Sequence, residues 1–229
     1  MEFSRLVQYL EELEATASRN RMVSLLAEML RESMADEIGT VCYLVLGEIA
    51  PGYSGLFMGL GERLVQAAIA LAFGLDEGEV AKKKAVGDWG DVALRVGGDQ
   101  KPVRPDLPPF PFPLTVVDVH RGFLQIAQAK GGGARDAKVR ILAAMLAGSS
   151  PRERRYLVRL ATGEMRLGVG DMTVLDALAE AYLGSRKERR ALEHAYNITS
   201  DIGLVARTLK EKGVSGVEAL GISLFRPIQ

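Results

Sequence analysis

With 229 residues, 48% of them apolar and 25% charged, the chain can bury a substantial core and does not have the composition of a disordered, collagenous or disulfide-stapled protein. No apolar run reaches the roughly 18 to 20 residues that a bilayer span needs, and Met1 to Arg5 leads into no signal-peptide segment, so a cytoplasmic (intracellular, nuclear in a eukaryote) protein with no membrane partner is expected. The net charge of zero conceals a polarity: residues 1–80 hold 5 Lys+Arg against 13 Asp+Glu, net −8, and residues 81–229 hold 24 against 16, net +8. Because salt limits the reach of the acidic end to about 10 Å, the basic portion can attract a polyanion locally, although two solvated faces would show the same counts.

In chain order, Phe3, Leu6, Val7, Leu10 and Leu13 keep the i, i+3, i+4 rhythm of an amphipathic helix, and Met22, Leu25, Leu26, Met29 and Leu30 repeat it behind Asn20, read as its cap. A shorter apolar run over 38–49 ends at Pro51-Gly52 and contains the single cysteine, Cys42, expected in the core and not as a nucleophile. After a loop with Tyr53, Leu56 and Phe57, a helix is predicted from Gly61 to Phe73, followed by short helices over 77–86 and 88–96 with Trp89 and Val92 facing inward. Lys101 to Leu114, KPVRPDLPPFPFPL, has six prolines in fourteen residues and reads as an extended connector that lets two halves sit apart. Further helices are predicted over 116–129, 136–146, from Glu153, from Val174 to Leu183, and over 186–196, 201–212 and 214–220. Strand signals are nearly absent, so the fold class is all-α, with about a dozen helices.

An internal repeat organises these helices. Leu25 to Leu30 recurs as Ile141 to Leu146, Tyr43-Leu44 with Gly47-Glu48 as Tyr156-Leu157 with Gly163-Glu164, and Gly59-Leu60-Gly61 as Gly168-Val169-Gly170. Gly87-Asp88-Trp89-Gly90 recurs as Ser200-Asp201-Ile202-Gly203. Two pseudo-symmetric duplicated lobes are therefore expected, one over about 1–100 and the other over about 115–229, joined by the connector at 101–114.

The candidate binding residues are glycine-rich turns at helix starts. Residues 153–183 read as a helix hairpin with Arg166 at its tip, where Gly168, Val169 and Gly170, followed by Asp171 and Thr173 as capping residues, leave backbone N–H groups beside a cation. Gly59, Leu60 and Gly61 form the matching turn. Lys130, Gly131, Gly132, Gly133, Ala134 and Arg135, ahead of a helix carrying Lys138, read as a nest of backbone amides with added cations, or else as a flexible loop. Gly87 and Gly90 offer a further helix start. Two equivalent turns about a pseudo-two-fold axis suit duplex DNA, whose backbones or minor groove could be gripped without reading bases.

Other chemistry finds little support. No Gly-Lys-Ser/Thr and no preceding strand make the glycine loops nucleotide P-loops. His120 and His194 lie 74 residues apart without partners at ligand spacing, so no metal site is expected. Glu48 and Glu164 match within the repeat and read as structural, bonding helix ends, and no catalytic residue is assigned. Arg152, Arg154, Arg155, Arg159, Lys187, Arg189 and Arg190 could reach phosphates or simply be solvated.

At YLVRLATGEMRLGVGDMTVLDAL, GDWGDVA, GLGERLV and KGGGARDAKVRIL the chain resembles the N-terminal DNA-binding domain of ATP-dependent DNA ligases of archaeal and eukaryotic replicative type, over essentially its full length. The resemblance implies two pseudo-symmetric helical halves that bind the minor groove across a nick in double-stranded DNA and help close the enzyme on it, in replication, repair and recombination. It implies no cofactor in these residues, ATP and Mg²⁺ in the full-length ligase, and a sliding clamp among the partners of that enzyme. A family serine is replaced here by Ala134. The family's catalytic lysine lies in a Lys-x-Asp-Gly motif, and no Asp-Gly pair occurs in this sequence. The sequence ends at Phe225 to Gln229, where an adenylation domain, followed by an OB-fold domain, would begin, so the chain alone is expected to be inactive. The alternative reading is a helical protein–protein interaction scaffold using the acidic first part or the proline-rich connector.

Overall fold

The computed structural model describes residues 1–98 and 106–221, and over these the chain forms twelve α-helices with no strand beyond an isolated bridge between Glu2 and Thr115. In order they are α1 Phe3–Glu14, α2 Arg19–Glu32, α3 Ile38–Leu46, α4 Glu62–Phe73, α5 Glu77–Lys83 and α6 Trp89–Arg95. These are followed by α7 Val116–Gln128, α8 Ala134–Gly148, α9 Pro151–Thr162, α10 Asp171–Tyr182, α11 Arg190–Thr199 and α12 Ile202–Glu218.

Most boundaries follow local chemistry. Thr115 with Asp118 and Ser150 with Glu153 close capping boxes that start α7 and α9, and Pro151 takes the first helical position, where its missing N–H is no loss. Several boundaries differ from the sequence expectation: the helix expected over 186–196 is a 3₁₀ turn at Arg186–Arg189 followed by α11, and α9 and α10 start earlier, at Pro151 and Asp171. The cap of α2 is Ser18, whose hydroxyl accepts from the Arg21 N–H, and Asn20 lies inside the first turn. α8 begins at Ala134 and not at 136, because Gly133 takes the left-handed conformation (φ 98°) that ends the glycine loop. Lys84–Val86 tightens into a 3₁₀ turn after α5. The helices expected over 201–212 and 214–220 run together as α12, broken by a kink at Gly213 (φ 67°, ψ −167°).

The helices gather into two compact units that are not the two sequence halves. One unit contains Gln8–Gly55 with the chain from Arg166 onward, and the other contains Glu2–Val7 with Leu56–Met165. The lobes expected over 1–100 and 115–229 are thus replaced by units that each draw on both halves. The reason is which apolar faces meet: α2 packs on α10 and α3 on α12 in the first unit, and α4 packs on α8 and α6 on α9 in the second. By the sequence correspondence α2 matches α8, α3 matches α9, α4 matches α10 and α6 matches α12. Each unit therefore joins the opening helices of one repeat to the closing helices of the other.

Close helix contacts within each unit depend on glycine. A Cβ on Gly203 in α12 would sit 2.4 Å from the Tyr43 ring of α3, and one on Gly90 in α6 would sit 2.7 Å from the Arg159 side chain of α9. Both are matched positions, and at both only a hydrogen fits. The N-cap aspartate beside each glycine is bonded by the opposing helix. Asp201 accepts from the Tyr43 hydroxyl at 2.5 Å and from Tyr53 at 3.0 Å, and Asp88 is ion-paired with Arg159 at 3.0 Å with both side chains 2% exposed.

The proline-rich stretch is no spacer between the units. Lys101 to Pro105 lies outside the described residues, but from Asp106 onward it belongs to the second unit, with Leu107 and Leu114 buried. Gly148 and Gly122 leave notches for it: a Cβ on Gly148 would fall within 2.1 Å of the Phe112 ring, and one on Gly122 within 2.7 Å of Phe110. Arg140 also donates to the Asp106 carbonyl. Cys42 is buried as expected, and burial pushes its thiol up to about 12. Its alkylation in the native chain at pH 8 is expected to be more than about a hundredfold slower than in urea, as judged by iodoacetamide labelling followed by mass measurement.

Candidate nucleic-acid interface

Among the described residues six helices begin with a side-chain cap: Ser18, Asp76, Asp88, Thr115, Ser150 and Asp201 each accept from an N–H of the first turn. Several helices, α3 and α11 among them, start without a side-chain cap bond; three of these open on glycine, and they are the helices behind the glycine motifs. α4 opens on Gly61, α8 on Gly133 and α10 on Gly170, none with a side-chain cap bond. Glycine has no side-chain acceptor to offer; the Leu64, Ala134 and Thr173 N–H groups donate to the Gly61, Gly131 and Gly170 carbonyls, and other first-turn N–H groups face solvent or a bound anion at the positive end of the dipole. Asp171 and Thr173 do not cap α10 as the sequence suggested: Asp171 is its first residue and Thr173 is buried. Each of the three helices carries one first-turn carboxylate, Glu62, Asp136 or Asp171, which partly compensates its dipole. Beside Asp171, burial and the Asp171 charge raise the Glu48 carboxyl above its ordinary value.

Two motifs far apart in sequence meet in the second unit. A concavity of about 840 Å³ is lined by Gly59, Gly61 and Arg63 from one side and by Lys130, Gly131, Ala134, Arg135 and Lys138 from the other. Two uncapped helix starts, α4 and α8, thus border one hollow. Arg63, Lys130 and Arg135 are exposed, and Lys138 is half-buried. Its ammonium donates to the Met58 carbonyl at 2.6 Å, so Lys138 holds the loop before α4 in place. A Cβ on Gly59, whose φ is 58°, would lie 3.0 Å from that ammonium. Glu62 is the one acidic lining residue, and its bond to Lys84 at 2.5 Å holds its carboxyl below the usual carboxylate range. Arg63 was missed by the sequence reading. Its signal was its position in the first turn after Gly59-Leu60-Gly61, where the matched turn has Met172. Leu60 is buried at 8% exposure and anchors its turn through the side chain, leaving only backbone to face outward.

Residues 163–170 are not the tip of a hairpin. α9 belongs to the second unit and packs on α6, whereas α10 belongs to the first and packs on α2, so the segment is a connection between units. Met165 and Leu167 are buried, Arg166, Gly168 and Gly170 are exposed, and Val169 is half-buried. Arg166 itself is left-handed, with φ 58°, a conformation glycine adopts freely and arginine does not. Gly168 has φ 65° and only Met22 near its missing Cβ, at 3.7 Å, so a side chain there is opposed by the backbone and not by crowding.

The start of α6 is already occupied. Asp88 caps it and pairs with Arg159, Gly87 packs against the Asp91 carboxylate, and Gly90 is buried against α9. Trp89 is core, 4% exposed. Three arginines of α9, Arg154, Arg155 and Arg159, are likewise structural, whereas Arg152 is exposed. Arg154 is fully buried, donating to the carbonyls of Val96, Gly98 and Leu146, and Arg155 pairs with Asp91 at 3.0 Å. Arg189 pairs with Asp176 at 2.6 Å and Glu193 at 3.3 Å. Among the described residues no three His, Cys, Asp or Glu side chains converge as metal ligands. No helix is long and apolar enough to cross a membrane among the described residues.

Fold and site together define an all-α domain that presents glycine-opened helix starts and exposed cations. The chain belongs to the family described as DNA ligase N terminus, which matches residues 2–179. It is 38% identical to a probable DNA ligase of Aquifex aeolicus over the whole chain, and 41% identical to a DNA ligase of Pyrobaculum arsenaticum over 90% of the chain. A DNA ligase 2 of Korarchaeum cryptofilum is 36% identical, again over the whole chain. The chain spans 38%, 35% and 38% of the length of these three relatives.

Proposed function

We propose that this chain is the part of an ATP-dependent DNA ligase that grips nicked duplex DNA from the minor-groove side, without sequence preference, and positions it for a catalytic core elsewhere in the enzyme. The observation that carries the reading is the concavity in which the Gly59–Gly61 turn, the Lys130–Gly133 loop and the exposed Arg63 and Arg135 surround two uncapped helix starts. Backbone N–H groups and arginines suit phosphate oxygens, which repeat along any sequence and carry no base identity. Glycines let backbone approach the duplex closely. A second contact is made by Arg166 with the Gly168–Gly170 turn ahead of α10. ATP and Mg²⁺ would serve the catalytic core, which would supply the lysine that becomes adenylated. A sliding clamp is a partner of that larger enzyme in the same reading.

The test is a titration of the chain with nicked and intact duplexes of two unrelated sequences at several salt concentrations. Log K falls by about 0.9 per neutralised phosphate for each decade of salt, and scrambling the sequence changes little. Absence of binding at low salt, or dependence on one sequence, overturns the reading. Mixed with ATP and Mg²⁺ alone, the chain should take no label from the α-phosphate and seal no nick.

Arg166 gives a sharper expectation. Replacing it by glycine removes left-handed strain of about 1 to 2 kcal/mol, partly offset by glycine's freedom in the unfolded chain, so a rise in melting temperature of about 2 °C is expected. The same variant loses the cation and binds nicked duplex about 1 kcal/mol or more less tightly, whereas Arg166→Ala weakens binding without the gain in stability. Melting curves run beside the titrations check both, and equal binding by parent and Arg166→Gly would remove Arg166 from the interface.

A further inference from the structure

Phe57 is the most exposed large apolar side chain among the described residues, at 74%, against 59% for Met34 and 42% for Phe112. It does not sit on a loose tail. The next residue, Met58, has its carbonyl fixed by the Lys138 ammonium at 2.6 Å, and two residues further on Leu60 is buried. The same Lys138 lines the cationic concavity with Gly59 and Gly61. A phenyl ring is therefore held out in solvent by a loop whose other residues form the wall of the proposed phosphate site.

We infer that Phe57 is an apolar wedge that enters the minor groove of the duplex gripped at this concavity and favours an interrupted duplex over an intact one, an inference that rests on the proposed DNA binding. Phosphates on either side of the groove would be held by Arg63, Lys130, Arg135 and the helix starts, while Phe57 offers an apolar ring to the edges of sugars and bases. Apolar side chains that enter the minor groove do so by parting a base step, which must unstack to admit them. At a nick one of the two backbones that tether the step is cut, so the step opens at lower cost and the ring gains its contacts there preferentially. A single ring beside a phosphate cradle does not suit single-stranded DNA, where binding draws on several stacking platforms in series.

The test uses the 229-residue chain with duplexes carrying 2-aminopurine at a nick, or one to three base pairs to either side, and the same duplexes without the nick. With the parent, 2-aminopurine brightens at one step only, and nicked duplex binds more tightly than intact. Phe57→Ala should weaken binding to nicked duplex about tenfold, leave intact duplex nearly unchanged, abolish the brightening and leave the salt slope as it was. Phe57→Leu should recover part of the brightening. Because the side chain is exposed, the melting temperature of either variant should equal that of the parent. If Phe57→Ala keeps both the preference for the nick and the fluorescence change while the parent binds DNA with a steep salt dependence, the wedge is wrong and the phosphate site stands. If the parent binds neither duplex, the proposed function fails and the wedge with it.

Discussion

Replacing Arg63, Lys130 and Arg135 together by alanine should weaken binding of nicked duplex by about 3 to 5 kcal/mol at low salt, since each removes a charge-assisted contact worth about 1 to 2 kcal/mol. The salt dependence separates this from a merely damaged fold. Three lost phosphate contacts flatten the slope of log K on log salt by about 2.7, so the gap between parent and variant should shrink about 40-fold between 50 and 200 mM salt. All three side chains are exposed, so the melting temperature should hold. Lys138 is left in place deliberately, because its bond to the Met58 carbonyl makes it part of the loop's support. A slope identical to the parent's would mean that the phosphates are neutralised elsewhere, and the concavity would lose its assignment.

Asp88→Ala should cost about 3 to 5 kcal/mol of stability and lower the melting temperature by about 10 °C or more. Two losses coincide. The N-cap of α6 no longer accepts from the Asp91 N–H, and the Arg159 guanidinium, 2% exposed, loses its nearest carboxylate, Asp91 lying farther off at 3.6 Å. The weakened pairing of a buried cation dominates. The matched Asp201→Ala should cost less, about 2 kcal/mol, because it abandons the hydroxyls of Tyr43 and Tyr53, which are neutral donors. Replacing Arg159 by methionine in the Asp88→Ala background should restore much of the loss by removing the stranded charge. Thermal melts of the three variants decide it: equal losses at Asp88 and Asp201 would mean that the cap, and not the ion pair, carries the effect.

What could be read from the sequence was what is encoded within a turn or two of chain. Phe3 to Leu13, Met22 to Leu30 and the alanine-rich run before Gly74 became helices because a 3.6-residue periodicity needs no knowledge of its partner. Glycine was harder, since the letter is the same for different physical reasons. Gly61 and Gly170 open helices onto solvent, Gly90 and Gly203 admit a neighbouring helix, and Gly148 makes room for Phe112. Arg154 and Arg159 looked like solvated surface because their acceptors lie far away, at Val96, Gly98 and Asp88. Pairing was least legible. The hairpin expected at Arg166 followed from two helices close in sequence, but the faces of α9 and α10 are better covered by α6 and α2. The meeting of the Gly59 turn with the Lys130 loop is likewise a product of α4 packing on α8, about seventy residues later in the chain.

The exchange of helices between the two sequence halves sets how the polypeptide must fold. α2 cannot bury its apolar face until α10 has been made, and α3 must wait for α12, the last helix described. A ribosome that has released only the first hundred residues has therefore produced helices whose intended neighbours do not yet exist. Closing loops of well over a hundred residues delays the reward until late, so collapse should be slow and cooperative across nearly the whole chain. Expressed separately, residues 1–98 and 106–221 would each display sticky half-interfaces, and only when mixed could they complement one another into two finished units.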